Sequence, residues 1–579
     1  MKAVEIKNLK ISYGMEKEPA LEGINLDIEE GEFVLLVGRT GSGKSTLLNA
    51  INGVIPHVIE ANVEGTINVF GIDSQTTEMK DIAKMVGTVY QVPEDQIFAL
   101  VVEDDIAFGP ENMAVSPSEI SSRVEWALKE VNLLNERRSP TFLLSGGQKQ
   151  RLVIGGALAM RPKLLILDEP TSMLDSLGTE EVFGTLKRLR DEYGITIIMA
   201  EHKVERVLGL VDRLILISDK KITIDAPIRE ALMRNIESFG IEEPQIAALH
   251  KSINPTSKVA PINVDEFINM NLSIAEEMQN KNLPFLDPDT MPLNDGENAV
   301  EFDDVWFKYE RSNEFTLRGI NFKIRNGESA SIMGPNGSGK TTALRLVTGL
   351  QKATKGKVLI NGKDASRLRM GDIAKIVGYV FQDPDQMILN TSVISEITFS
   401  PRLRGEDKSK VEKKAEELLR MFSLYSYKDE TPHRLSVGQR RLLTICSVLI
   451  NNPAILLLDE PTRGLDKRSG EEVLSYIKDL NKNFKITLIM VSHNVKQAAD
   501  YSNKAIVFYD GKVAVEASPR EAFSQAIVNK NWSVVPPQVF QLTYKLGIKP
   551  PAVKLEEATA LLEAINTIKK NDERKAAGE

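Results

Sequence analysis

Apolar residues in this chain gather in short unbroken runs. FVLLV (Phe33–Val37), LLILD (Leu164–Asp168) and TIIMA (Thr196–Ala200) are such runs, and a second set stands at Ser331–Met333, ILLLD (Ile455–Asp459) and TLIMV (Thr487–Val491). Runs of this length, bounded by turn residues, predict strands buried on both faces, as in a parallel sheet. VGTVYQ, ending at Gln91, and VGYVFQ, ending at Gln382, predict two more strands that finish on an amide. Helix-forming runs follow at Leu47–Ile51 and Ala343–Val347. The longest apolar stretch, Leu442–Leu458, is cut by Asn451, Asn452 and Pro453, so it reads as helix, turn and strand rather than a membrane span. MKAVEIKNLKISYG at the start alternates charged and apolar residues and has no apolar centre of an export signal; Tyr13 is expected on an antiparallel strand there.

The same signals occur twice in the same order. GRTGSGKST (Gly38–Thr46) returns as GPNGSGKTT (Gly334–Thr342), LLSGGQKQR (Leu143–Arg151) as RLSVGQRRL (Arg434–Leu442), and LLILDEPTSMLD (Leu164–Asp175) as ILLLDEPTRGLD (Ile455–Asp466). The offset is 296 residues from Lys44 to Lys340 but 291 from Gln91 to Gln382, Asp168 to Asp459 and His202 to His493. One five-residue length change therefore lies between them, at Gly53–Gly65 against Gly349–Gly356, expected as a surface loop. Four segments follow: a first domain at 1–225, a linker at 226–298, a second domain at 299–530 and a helical extension with a frayed end at 531–579. The linker holds seven prolines, five basic and twelve acidic residues, which allows only short helices such as Ile274–Gln279. In the extension, Leu555, Ala558, Leu561, Leu562 and Ile565 share one helical face.

Composition narrows the function. The 579 residues include 72 basic and 81 acidic side chains, a net charge of −9, which gives no electrostatic footprint for nucleic acid. The single cysteine, Cys446, sits in an apolar run, which points to burial and a reducing cytoplasm.

Each glycine-rich turn lies between a predicted strand and a helix, the context a phosphate-binding loop requires. Gly38, Gly41 and Gly43, and Gly334, Gly337 and Gly339, let backbone N–H groups approach phosphates, and the loops are completed by Arg39, Thr40, Ser42 and Thr46, and by Pro335, Asn336, Ser338 and Thr342. Lys44 and Lys340 are expected to neutralise β and γ phosphates, and Ser45 and Thr341 to place a hydroxyl on Mg²⁺. Asp168 and Asp459, at strand ends, are expected to hold Mg²⁺ through water, and Glu169 and Glu460 to polarise an attacking water. His202 and His493 follow strands and are read as γ-phosphate contacts; Gln91 and Gln382 can reach both Mg²⁺ and the water. Tyr13 and Tyr309 are candidates to stack on adenine. Trp126, Trp306 and Trp532 follow no repeat and are read as packing.

Together these motifs resemble the nucleotide-binding domains of ABC transporters over everything but the linker and tail. The resemblance implies an α/β fold: two tandem P-loop NTPase domains, each with a mixed central sheet, flanking helices, an antiparallel β subdomain and a helical signature subdomain. It implies ATP and Mg²⁺ as ligands and head-to-tail pairing of the two domains. Site one would join the first copy's residues to Ser436 and Gly438, and site two the second copy's to Ser145, Gly146 and Gly147. Asp175 and Asp466 would communicate between the sites. NGVIPHVIEANVEG (Asn52–Gly65), QVPEDQIF (Gln91–Phe98) and VEDDIAFGPEN (Val102–Asn112) are similar to the energy-coupling-factor importers, while the second copy keeps FQDPDQMIL but has ISEITFSPRLRG, so it is more divergent. That finer likeness implies a motor for uptake of a vitamin, a vitamin precursor or a metal ion. It would sit on the cytoplasmic face of the cell membrane and act through separate transmembrane subunits together with a substrate-binding membrane subunit, and no nucleic acid is expected. Surfaces around Gln96 and Gln386 would meet the partner. A soluble tandem ATPase acting on ribosomes or nucleic acid is the rival reading; the acidic linker and the absence of zinc-site cysteines oppose it. Val437 stands where the first signature glycine is expected, which leads us to expect slower turnover at site one.

Overall fold

The computed structural model describes residues 1–14, 18–172, 174–280, 296–310 and 313–565. They form two compact units, Met1–Met270 and Asn271–Glu579, and each is described by itself.

In the first unit a six-stranded sheet runs in the order Lys221–Pro227, Arg213–Ser218, Phe33–Val37, Thr196–Ala200, Leu164–Asp168, Val86–Val89. All neighbours are parallel except Lys221–Pro227, which pairs antiparallel at the edge. Phe33–Val37 is buried along its whole length, as its unbroken apolar run requires. A second, four-stranded sheet has the order Leu21–Glu29, Lys2–Tyr13, Ala61–Val69, Ile72–Asp73, all antiparallel. The helices Val102–Asn112, Pro117–Glu130 and Gly146–Ala159 pack on one another as a third layer, with Ile106, Leu128 and Leu152 fully buried.

The second unit repeats this plan. Lys512–Ala517, Lys504–Tyr509, Ser329–Met333, Thr487–Val491, Ile455–Asp459 and Val377–Val380 form the six-stranded sheet, with the same edge inversion. Leu317–Arg325, Asn298–Phe307, Lys355–Ile360 and Lys363–Asp364 form the four-stranded one. Its helical layer is Val393–Leu403, Lys408–Met421 and Val437–Leu449. Cys446 is buried there. The fold class expected from the sequence is the one observed.

The five-residue difference is not simply an external loop. The first copy's segment contains the turn Val54–His57, whose Ile55 is fully buried, and then enters a nine-residue strand where the second copy has six.

The segment expected as a linker belongs, as far as Met270, to the first unit. Ile228, Leu232, Ile236, Ile241, Ala247 and Ala260 join the same core as Phe33 and Leu35. Arg229 clamps Glu266 bidentately at 2.6 and 2.9 Å. The extension of the second unit is built alike: Arg520 clamps Glu557 at 3.2 and 3.0 Å, and the backbone N–H of Val553 donates to Glu557 as that of Ile262 does to Glu266. Both pairs lie 291 residues apart, so each unit ends in the same appendage. The helix expected at Ile274–Gln279 spans Leu272–Asn280. In the extension, residues 555–565 are helical, with Ala558, Leu561, Leu562 and Ile565 buried. The rest of the proposed linker up to 295, and the frayed end from 566, lie outside the described residues.

Candidate functional site

Parallel strands deliver their loops to the carboxyl edge of the sheet, where ligands of open α/β sheets bind. In the first unit, the loop Gly38–Gly43 joins strand Phe33–Val37 to helix Lys44–Ile51. Gly43 has φ 103°, and an added Cβ would lie 2.5 Å from Leu21 Cδ2; Gly339 has φ 102°, and its Cβ would lie 2.3 Å from Leu317 Cδ2. Only glycine fits such a left-handed, crowded position. Lys44 Nζ, buried, donates to the carbonyls of Gly38 at 2.8 Å and Arg39 at 3.1 Å. Lys340 Nζ does the same to Gly334 at 2.9 Å and Pro335 at 2.8 Å. The ammonium is thus drawn over the loop's hollow. The hydroxyls of Ser42 and Ser338 are buried there with no hydrogen-bond partner. These cradles fit a triphosphate. The two differ at one wall, where the Arg39 guanidinium binds the carbonyls of Phe239 and Ser238 in the appendage and Pro335 has no donor to do so.

Tyr13 and Tyr309 each hydrogen-bond the loop threonine, Thr46 or Thr342, at 3.0 Å between hydroxyl oxygens. Both rings pack partly against their cores, one edge anchored beside the phosphate loop.

Behind each loop stands a relay of polar groups. Ser45 Oγ donates to Asp168 Oδ2 at 2.7 Å. His202 Nε2 lies 2.7 Å from Glu169 Oε1, and Gln91 Nε2 donates to Glu169 Oε2 at 3.0 Å. In the second unit the distances are 3.0 Å for His493 to Glu460 and 3.1 Å for Gln382 to Glu460. Three motifs far apart in sequence thus converge on one carboxylate in each copy. Glu169 at φ 49° and Glu460 at φ 47° hold left-handed backbone conformations, which cost about 1–3 kcal/mol each for side-chain-bearing residues. This strain, invisible in the sequence, aims both carboxylates at the Gln and His partners.

The paired acids are driven apart electrostatically. Burial pushes the Asp168 and Asp459 carboxyls up, reinforced by the adjacent glutamate, and the hydrogen bonds of Ser45 and of Tyr379 with Thr341 offset part of this. Burial also raises Glu169 and Glu460, but the hydrogen bond and charge of the facing histidine outweigh it and both end lowered, Glu460 to about 2. One reason for that depth is Arg463, 3.6 Å from Glu460, where the first copy has Ser172.

Mg²⁺ favours one or two carboxylates, hydroxyls and phosphate oxygens over an all-protein cage. Ser45 with Asp168, and Thr341 with Asp459, are hard oxygen donors of that kind. No group of three or more His, Cys, Asp or Glu side chains among the described residues is arranged to hold a metal. The donor set fits Mg²⁺ carried in with phosphate.

The signature serines cap helices. Ser145 accepts from Gln148 N, and the Gln148 side chain returns to Ser145 N; Ser436 and Gln439 do likewise. Gly146, Gly147, Val437 and Gly438 form the first turns, which present free N–H groups. Neither Gly146 nor Val437 is left-handed. The backbone part of the argument from Val437 therefore does not hold, and only its branched side chain distinguishes the two signatures. Asp175 and Asp466 cap the next helices, accepting from Gly178 N at 2.8 Å and Ser469 N at 2.9 Å.

The signature helix is tied to the segment after the strand-end glutamine. Lys149 pairs with Glu94 at 2.9 Å and Arg440 with Asp385 at 3.0 Å. Arg441 adds a contact that the first copy, with Gln150, lacks. It is 1% exposed and donates to the carbonyls of Phe381 at 2.7 Å and Gln382 at 2.5 Å. Tyr379, at the position of Thr88, donates to Asp459 at 3.0 Å. Sequence reading missed Arg441, Arg463 and Tyr379; comparing the copies position by position is the signal that finds them.

Gln96 turns inward, its side chain bonded to Tyr90 N and Thr88 O. The surface beside it is apolar: Phe98 is 69% exposed, Leu100 76%, and the Phe98 and Phe108 rings stack at 5.2 Å. Asp105 fixes that loop by accepting from Phe98 N and Ala99 N, as Glu396 does from Leu389 N and Asn390 N beside the exposed Leu389.

The family model described as ABC transporter matches residues 21–172 and 317–463. A "Putative ABC transporter ATP-binding protein" of Methanosarcina acetivorans is 35% identical over 98% of this chain and 92% of its own length. Proteins of the same description from Caldanaerobacter subterraneus subsp. tengcongensis, at 36% over 94% of this chain and 96% of that one, and Saccharolobus solfataricus, at 37% over 94% and 98%, are also similar. Among solved structures, cbiO1 from Clostridium perfringens, titled part of the ABC transporter complex cbiONQ, is 28% identical with a TM-score of 0.38, over 44% of this chain and 100% of that one.

Proposed function

The chain belongs to the ABC transporter family and carries two of its ATPase domains, and on that premise we propose that it is the ATP-hydrolysing motor of a transport complex whose membrane-spanning subunits are separate chains. The observation that carries the reading is the convergence, twice over, of phosphate loop, strand-end aspartate and a glutamate held between glutamine and histidine.

In this reading the loop N–H groups and Lys44 or Lys340 bind the β and γ phosphates. Mg²⁺, when bound beside Ser45 and Asp168 or Thr341 and Asp459, neutralises phosphate charge. Glu169 or Glu460, ionised because its pKa is lowered, accepts a proton from the water that attacks the γ phosphorus as the bond to ADP breaks. His202 and His493 orient that glutamate and offer a donor to the γ phosphate, and the Gln91 and Gln382 amides position the water. Electrostatic stabilisation of the transferring group supplies most of the rate. The N–H groups at the starts of the signature helices, at Ser436, Val437 and Gly438 and at Ser145, Gly146 and Gly147, offer further donors for phosphate.

No helix among the described residues is long and apolar enough to cross a membrane. The exposed Phe98, Leu100 and Leu389 suit apolar side chains of helices in membrane subunits, docked from the cytoplasmic face. The stretches Asn52–Gly65, Gln91–Phe98 and Val102–Asn112 support import of a vitamin, a vitamin precursor or a metal ion. A Phe98→Asp/Leu100→Asp variant should leave ATP hydrolysis by the purified chain within about two-fold of normal yet release it from membranes, since hot-spot anchors lie in few residues. Undiminished recovery with membranes, or recovery only with ribosomes, would count against the reading.

A further inference from the structure

The second unit contains a cavity of about 700 Å³ at a place where the first unit is core. The register between the copies is secured by shared bonds: Phe33 N donates to Asp212 and Ser329 N to Asn503, both at 2.9 Å. Ser329 therefore stands at the position of Phe33, Ala499 at that of Leu208, Ser502 at that of Val211 and Pro519 at that of Ile228. All four first-copy residues are buried members of one apolar core. All four second-copy residues line the cavity. Large side chains have become small or polar, which leaves space unless the walls collapse.

The walls are braced against collapse. Asn481 donates to the carbonyls of Gly327 and Ile486, Ser329 Oγ donates to the carbonyl of Tyr501, and the Arg520–Glu557 clamp holds the appendage across one side. The rest of the lining includes an apolar surface of Leu458, Ile477, Met490 and Val553 and five charged groups: Lys478, Lys482, Lys554, Asp500 and Glu521. Asp500, at the position of Gly209, has no hydrogen bond or ion pair among the described residues, and burial pushes its carboxyl up to about 6. A half-buried carboxylate without a donor is a costly feature to retain in an otherwise packed domain.

We propose that this cavity is a binding site for a small molecule with an aromatic or branched apolar body, one anionic group and one hydrogen-bond donor. The body packs on Leu458, Ile477 and Met490, the anion faces Lys478 and Lys482, and the donor meets Asp500. The volume lies within the range of small-molecule pockets, about 300–1,000 Å³. Nothing in this assignment uses the nucleotide sites.

The test uses 8-anilinonaphthalene-1-sulfonate, which carries an aromatic body, a sulfonate and one N–H, titrated by fluorescence into the full chain. We expect saturable binding at one site per chain, weakened at least about ten-fold by Ala499→Leu, which restores the first unit's residue, and about three- to ten-fold by Lys478→Glu or Asp500→Asn. Filling the space should not lower the melting temperature. If Ala499→Leu does not fold, Lys478→Glu, on an exposed helix face, decides instead. Wild-type affinity in the folded Ala499→Leu protein, or in Lys478→Glu where that variant decides, would overturn the assignment.

Discussion

Asp500→Asn should stabilise the second unit, and only above acidic pH. The Asp500 carboxyl is raised from 3.8 to about 6, because burial outweighs the attraction of Lys496, Lys554 and Lys478. Below about pH 3 the group is protonated in both folded and unfolded chains, so it does not distinguish them. As pH rises from about 4 to 6 the unfolded chain loses its proton first, and stability falls. Above 6 the penalty is complete: about two pH units at 1.36 kcal/mol each, or about 3 kcal/mol. Asparagine keeps the shape and cannot ionise. The variant should therefore match the wild type near pH 3 and exceed it by about 1–3 kcal/mol at pH 7.5, a large share of a typical domain's stability of about 5–15 kcal/mol. Urea denaturation followed by tryptophan fluorescence reads this well, since Trp306 and Trp532, two of the three tryptophans, lie in the second unit. A gap that stays constant between those pH values, or a less stable variant at pH 7.5, would refute the reasoning.

Two further outcomes follow from differences between the copies. Arg441→Ala should destabilise the second unit by about 2–5 kcal/mol in the same assay, because it empties the space of a buried side chain and leaves the part-buried carbonyls of Phe381 and Gln382 without that donor; Gln150→Ala in the first unit should cost less. Val437 puts a branched side chain in the second signature where the first has Gly146, so, on the head-to-tail pairing that the family resemblance implies, Glu460→Gln should hydrolyse ATP more slowly than Glu169→Gln, and adding Val437→Gly to Glu460→Gln should raise its rate. Equal rates in the two glutamate variants would dismiss that asymmetry.

The phosphate loops, strand-end acids, histidines and glutamines were legible in the sequence because their chemistry demands fixed residue types at fixed spacing, and the repeat showed each twice. The strands were legible because burial on both faces requires unbroken apolar runs. The appendages were not. Their shared plan survives in sequence mainly as Arg229 with Glu266 and Arg520 with Glu557, two pairs 37 residues apart that read as unremarkable surface charges until they are seen clasped. The prolines of residues 226–298 suggested a linker because they interrupt helices, yet short helices still bury Ile246 and Phe267. The left-handed backbone of Glu169 and Glu460, and the helical backbone of Val437, are conformations that residue identity does not encode. Tyr379 and Arg463 reach Asp459 and Glu460 through side chains from a neighbouring strand and the following loop, so only three-dimensional proximity identifies them.

The central claim is that Glu169 and Glu460 are the proton acceptors of two ATP-hydrolysing sites in one chain. It is tested most directly by the Glu169→Gln/Glu460→Gln protein, purified as the full chain and assayed for phosphate release and retained nucleotide in the presence of Mg²⁺. Glutamine preserves the contacts' shape but cannot accept the proton, so turnover should fall by at least about 10²-fold while ATP remains bound, about two per chain. Phosphate release at the wild-type rate from the double variant would contradict the account.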